Sequence, residues 1–322
     1  MPYHCRLTIV TLGAIAAAGS ALAEPITFAW TPNPQTPQVD VALQNGYFED
    51  AGVELDLVAF RTGREGFEAM LGRQVDVTFM AEFPAAVGAL RGQDFAVIGD
   101  LARFTGSRII VSRAAATVEG PQDLQDLRIG TTIGTNVNYF LDGILREAGV
   151  EAQVIGAAPT DLVPALARGD VDAIAPFPSF YAAAREAIGD DYAELRAPGY
   201  EAHFILAASP EMTTERGVDL DAFMKALARA DADVRADPEA AMEAVAQSMQ
   251  GAVSIDQLGR LWQDLDIGLQ LDAGLADLLA AEGDWILEQG VVRGEAKGSD
   301  AMLEHFAPEA LRRAAPEAVS LP

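Results

Sequence analysis

Apolar positions along this chain recur with two different periods. Short crowded runs end at Phe28–Trp30, Leu55–Phe60 and Val75–Met80, and again at Arg128–Gly130, Ala152–Ile155 and Val171–Ala175. Runs of that length bounded by turn residues predict buried strands. Between them apolar residues fall at three-to-four spacing, which predicts amphipathic helices. Strands alternating with helices predict parallel βαβ units and an α/β fold. From about Asp219 onward the period is helical: DLDAFMKALARADADVRAD, SIDQLGRLWQDL and LDAGLADLLAAEGDWILEQG each begin near an Asp or Ser that can cap a helix. The final residues, rich in Ala, Pro and Glu, are expected to form a weakly ordered tail.

The chain also resembles itself. AGVELDLVAFRTGREGFEAMLGRQVDVTFMAEFPAA, from Ala51, is matched from Ala148 by AGVEAQVIGAAPTDLVPALARGDVDAIAPFPSFYAA. Each copy reads strand, loop, helix, small turn, a "VD" strand and a loop with Phe and Pro. The preceding segments match as well, since ITFAWTPNPQTPQVDVALQNGYFED and LRIGTTIGTNVNYFLDGILRE both give strand, turn-rich loop and helix. Two such copies predict two α/β lobes of like build. Ligands in such sheets bind beyond the carboxyl ends of the strands, so the loops after the strands carry the candidate chemistry. Two apolar strands, Arg108–Val111 and His203–Ala208, are expected to mark the crossings between lobes. The expected division is a leader over 1–23, a first lobe from 24–113 plus 202–322 with the C-terminal helices, and a second lobe inserted at 114–201.

The leader is read from its pattern. His4 and Arg6 precede an apolar run, Leu7–Ala18, then Ala21-Leu22-Ala23. The run falls short of the ~20 residues a spanning helix needs, and the small residues form a cleavage site. Export follows, with the mature chain starting near Glu24. Cys5 lies before the apolar run, out of place for lipidation, and it is the one cysteine in the chain. The mature protein therefore has no thiol for a disulfide, a metal or a nucleophile. His203 and His305 are the histidines beyond the leader and stand far apart, poor material for a zinc site or a catalytic triad. No metal, cofactor or catalysis is expected. With 48 acidic against 22 basic residues and a net charge of −26, nucleic acid is excluded as a partner.

Five segments carry a family resemblance: WTPN at Trp30–Asn33, NGYFEDAGVELDLV, LGRQVDV, GPQDLQDLRIGTTIGTNVNYFLDGILREAGV and ALARGDVDAIAP. Together they resemble the periplasmic binding proteins for nitrate, sulfonate, taurine and thiamine-precursor import, over Ile26 to about Ala208. The resemblance implies a type II periplasmic-binding-protein fold with a cleft between the lobes, hinge closure, and delivery of a small molecule to an ABC permease in the inner membrane. A monomer in the periplasm is expected. WTPN is similar to the opening of the thiamine pyrimidine-precursor binders, where the Asn faces the ligand; that implies Asn33. Thr36 stands where a His usually follows, and Ala81-Glu82-Phe83-Pro84 replaces the Gly- and Ser-rich loop common in sulfonate and taurine binders.

The loops suggest how a ligand would be held. Thr132, Thr135 and Asn136 precede a helix, whose free N–H groups and dipole suit an anion; ordinary N-capping is the alternative. Arg61, Arg64 and Arg103 fall near cleft loops and could grip a sulfonate or carboxylate, or serve as surface charge. Glu82 needs a partner if it is enclosed, either a ligand amine or Arg61 or Arg64. Among Trp30, Phe83, Tyr139, Phe177, Phe180 and Tyr200, the residues Trp30 and Phe177 follow strand ends and are the candidates for an apolar wall. The expected ligand is a small organic anion, a sulfonate or carboxylate. The alternatives are a thiamine precursor and a pyrimidine-related enzyme on the same fold.

Overall fold

The computed structural model describes residues 24–197 and 199–322; the expected leader and Cys5 lie outside them. In chain order the first lobe opens with β1 (Ile26–Ala29), α1 (Pro37–Gln44), α2 (Tyr47–Asp50), β2 (Leu55–Val58), α3 (Gly63–Leu71), β3 (Val77–Ala81), α4 (Phe83–Leu90) and β4 (Ala96–Phe104). The second lobe follows as β5 (Arg108–Ser112), β6 (Arg128–Thr131), α5 (Asn136–Ala148), β7 (Gln153–Gly156), α6 (Pro159–Arg168), β8 (Ala173–Ala175), α7 (Tyr181–Ile188) and β9 (Tyr192–Arg196). The chain returns through β10 (Ala202–Ala208), α8 (Pro210–Thr214), α9 (Gly217–Ala236), α10 (Pro238–Ser248), α11 (Ile255–Leu261), β11 (Leu265–Asp272), α12 (Ala273–Glu288), α13 (Ser299–Leu303), α14 (Glu309–Ala314) and β12 (Val319–Ser320).

Two mixed sheets result. The first runs β12-β11-β4-β10-β3-β1-β2 and the second β7-β6-β8-β5-β9. The repeat is visible in them: β2-β1-β3 and β7-β6-β8 are both all-parallel, each followed by an antiparallel neighbour. The "VD" aspartates do the same work in each copy. Asp76 accepts from the backbone N–H and the hydroxyl of Thr27, both at 2.8 Å. Asp172 accepts from the backbone N–H and Nε of Arg128 at 2.9 and 3.1 Å. Asp76 thus pins the start of β3 to β1, and Asp172 pins the start of β8 to that of β6. The Arg128 hydrogen bonds hold the Asp172 carboxyl below its usual range.

Helix faces follow the pattern of the sequence. On α5 the residues Val137, Phe140, Leu141, Ile144 and Leu145 are buried, the single stripe of an amphipathic helix. Gly149 ends the helix in the left-handed conformation. In the middle of the first sheet every residue of β10 is buried, as a strand covered on both faces requires.

Three expectations need correction. The boundary at 113/114 assigns Arg108–Ser112 to the first lobe, but β5 pairs with β8 and β9. Its side chains alternate between two apolar clusters, Ile110 in one that extends to β4 and β10 and Ile109 and Val111 in one within the second lobe. The C-terminal segment is not a loose tail: α14 buries Ala310 and Leu311, and β12 pairs in parallel with β11. The region after Asp219 is not all helix either, because β11 enters the first sheet antiparallel to β4. No described helix is long and apolar enough to cross a membrane, and no group of three or more potential metal ligands occurs among the described residues.

Candidate functional site

The strand ends of both lobes open onto one cleft of about 380 Å³. Trp30, Asn33, Arg61, Arg64, Thr135, Asn136 and Phe177 all line it. The first four follow β1 and β2, Thr135 and Asn136 open α5, and Phe177 follows β8. Rings form much of the rest: Phe60 and Phe180 join the wall, and Phe79 and Phe204, with centroids 6.2 Å apart, line it from β3 and β10.

The start of α5 is poised for an acceptor. Thr135 occupies the N-cap position, yet its side chain caps no N–H; its hydroxyl donates to the Thr132 carbonyl at 2.6 Å instead. Of the first-turn N–H groups, that of Asn138 bonds the Thr135 carbonyl at 3.0 Å, which leaves those of Asn136 and Val137 without an intrahelical acceptor, and the dipole adds positive potential there. Gly134, just before, has φ +75°, a conformation that favours glycine. A Cβ at that position would come within 3.3 Å of Arg64 Nη1, so the guanidinium of the first lobe reaches the turn of the second. On the opposite wall Gly63 brings α3 hard against β3, where a Cβ would stand 2.6 Å from that of Met80.

One polar group at the cleft lacks a partner. Trp30 is buried and its indole N–H has no acceptor among the described residues. Gln35, which the sequence did not single out, is 4 % exposed and lines the cleft. Asn33 Oδ1 takes the Gln35 backbone N–H at 3.0 Å. Asn33 also bonds the Thr31 carbonyl and the Thr36 hydroxyl at 3.0 and 3.1 Å. Its amide is thus largely spent on shaping the loop. Arg61 is 75 % exposed and paired with Glu65 at 2.7 Å.

Three candidates fall elsewhere. Thr132 is buried beneath the turn and does not line the cleft; its hydroxyl has no partner among the described residues. Arg103 lies within β4, held by Asp100 and Asp272 at 3.1 and 2.7 Å. Glu82 points into the protein, because its N–H bonds the His203 carbonyl and sets the first turn of α4 against β10. Its carboxylate accepts from the Tyr200 hydroxyl, and from the His203 N–H at 2.9 Å. Neither Arg61 nor Arg64, the protein partners expected for it, bonds it.

Glu82 instead belongs to a buried acidic cluster behind the cleft. Glu282 of α12 lies beside it, and both side chains are fully buried. Burial raises both carboxyls above the usual range, and for Glu282 the neighbouring Glu82 charge adds to the effect. Nearby, His203 Nδ1 meets Asp100 at 2.7 Å; burial opposes the imidazolium, but Asp100 raises His203 overall. Phe83, Tyr139 and Tyr200, offered as cleft rings, pack around this cluster with Trp285.

Comparison with known structures shows the fold. The alkanesulfonate-binding protein SsuA from Xanthomonas axonopodis pv. citri, bound to MOPS, superposes with a TM-score of 0.72 at 17% identity, over 88% of this chain and 98% of its own. The periplasmic aliphatic sulphonate binding protein SsuA from Escherichia coli gives 0.69 at 18%, over 85% and 95%. The enzyme DszB, in complex with biphenyl-2-sulfinic acid, gives 0.66 at 18%, over 91% and 99%. The architecture is that of the two-lobed periplasmic binding proteins. No curated protein matches the sequence. The family model described as NMT1/THI5 like matches residues 33–241. Spanning well over half of the sequence, that match shows that the chain belongs to the NMT1/THI5-like family.

Proposed function

We propose that this chain is the solute-binding component of an ABC import system, working in the periplasm as a monomer and taking a small organic anion, a sulfonate or carboxylate, into the interlobe cleft. One observation carries the reading: Arg64 of the first lobe converges on the uncapped start of α5 in the second. An anion at that point would be held from both sides, with the rings around Trp30, Phe60 and Phe177 taking its organic body. Such a bridge favours the closed arrangement by its differential affinity and gives a permease a state to recognise. The likeness to two sulfonate-binding proteins supports the class of ligand.

Calorimetry with a panel of alkane- and arenesulfonates, the matching carboxylates and a neutral aminopyrimidine tests it. Anion binding without turnover is the expected result. Preference for the neutral pyrimidine would replace this reading with the thiamine-precursor one. Conversion of a sulfinate or pyrimidine probe to product would make the chain an enzyme, as DszB is on the same fold.

A further inference from the structure

Beside the cleft lies a second cavity of about 430 Å³, between α7 and β9 of the second lobe and the stretch Met249–Gln263 that runs through α11. Pro178, Ser179, Phe180 and Met249 line both spaces, so the two cavities share a wall. The chemistry of the second cavity differs from that of the first. Arg108, Arg185, Arg196 and Arg260 line it, in a chain whose net charge is −26.

Two carboxylates answer those four guanidiniums. Glu194 accepts from Arg108, Arg185 and Arg196 at 3.1–3.2 Å, and from the Tyr192 hydroxyl at 2.7 Å. Asp264 accepts from Arg108 and Arg196 at 2.7 and 2.9 Å. Burial alone would raise Glu194, but the Tyr192 hydroxyl and the guanidiniums hold it below its usual range, so it stays ionised. Burial raises Tyr181 and Tyr192, which stay neutral. Four positive charges therefore face two negative ones. Arg185 lies over the Tyr192 ring, 4.0 Å from its centroid, and gives the already crowded Glu194 one contact at 3.2 Å, which leaves it further N–H donors; Arg260 has no ion pair among the described residues. A concave, partly apolar space with surplus guanidinium donors suits the acid group of an organic ligand.

We propose that the ligand cleft continues past Phe180 and Met249 into this second chamber, and that the ligand is an elongated organic dianion whose far acid group is held by Arg185 and Arg260. The inference rests on the anion-binding reading of the first chamber and narrows it. The near acid group takes the Arg64 and α5 end, the apolar body lies along the rings, and the far group emerges among the guanidiniums.

The test is calorimetry at low ionic strength, where exposed charges are least screened. Linear alkanedisulfonates of increasing length are compared with monosulfonates of the same carbon count. Above the length that spans the partition, the disulfonate is expected to bind about tenfold tighter, the gain from one more charge-assisted contact. Arg185→Gln with Arg260→Gln should erase that advantage, leave the monosulfonate unchanged and, both residues being exposed, leave thermal melting unchanged. Equal affinity of the two series at every length overturns the second chamber alone. So does an equal loss for both probes in the double variant. Binding of neither series overturns the anion reading as well.

Discussion

The cleft, lined by Ala81 and Pro84, and the acidic interior behind it, which takes Glu82 from between them, treat polar groups in opposite ways. Around the cleft, donors are left open: the Trp30 indole N–H, the N–H groups of Asn136 and Val137 at the start of α5, and most of the Arg64 guanidinium, whose one ion pair among the described residues is with Glu68 at 3.9 Å. Behind it, acceptors are enclosed: Glu82 is tied to Tyr200 and His203, and Glu282 is buried beside it without a hydrogen-bond partner among the described residues. Unpaired donors at an opening cost little, because water or a ligand can serve them. Unpaired carboxylates in the interior must either find a partner or take up a proton. The difference separates groups that wait for a ligand from groups that set stability.

The largest effect should come from an interior acid remote from the cleft. Asp40 on α1 is buried, and burial lifts its carboxyl to about 7, outweighing the lowering pull of the Ser248 side chain. Its folded value lies above the unfolded one, so its contribution to stability is complete below about pH 4. Stability then falls as pH rises toward about 7, where the folded group also ionises. Asp40→Asn should remove that dependence and gain up to about 4 kcal/mol at pH 8, at 1.4 kcal/mol per unit, with little gain at pH 4. Urea unfolding at the two pH values measures it; an equal effect at both would show Asp40 ionised throughout.

Glu82→Ala should come next, with a loss of about 3 kcal/mol, because the Tyr200 hydroxyl and His203 N–H are left without their acceptor. The same unfolding experiment reads it, and a silent substitution would mean water replaces the carboxylate. Arg64→Ala should leave stability within about 0.5 kcal/mol, as for an exposed side chain, while weakening anion binding by about 1–3 kcal/mol. Calorimetry beside a melting curve separates the two. If Arg64→Ala destabilised the fold and left affinity intact, the division between the regions would collapse.

Much of this was legible in the residues. The paired AGVE and "VD" segments gave like lobes because a βαβ unit imposes its own periodicity on every copy. Seven cleft residues were found through strand ends, since chain direction alone places those loops at one edge of the sheet. What failed was direction at finer scale. Glu82 sits one residue beyond β3, and whether it faces the cleft or the core depends on a bond to the His203 carbonyl, 121 positions away in sequence. Gln35 escaped notice because its place in the cleft wall is defined by what surrounds it in space. Strand β11 was readable and missed: Leu265, Ile267, Leu269 and Leu271 alternate with Asp266, Gly268, Gln270 and Asp272, the period of a strand, masked by helical stretches on either side.

The two pinning aspartates have a consequence for how such a protein can change its cargo. Asp76 and Asp172 fasten their strands at the end remote from the ligand, so the frame of each lobe is closed off before the chain reaches the loops that line the cleft. Exchanges at Gln35, Arg64 or Phe177 can therefore accumulate without loosening the scaffold beneath them. Selectivity and foldability become separately heritable traits, written at opposite ends of the same strands.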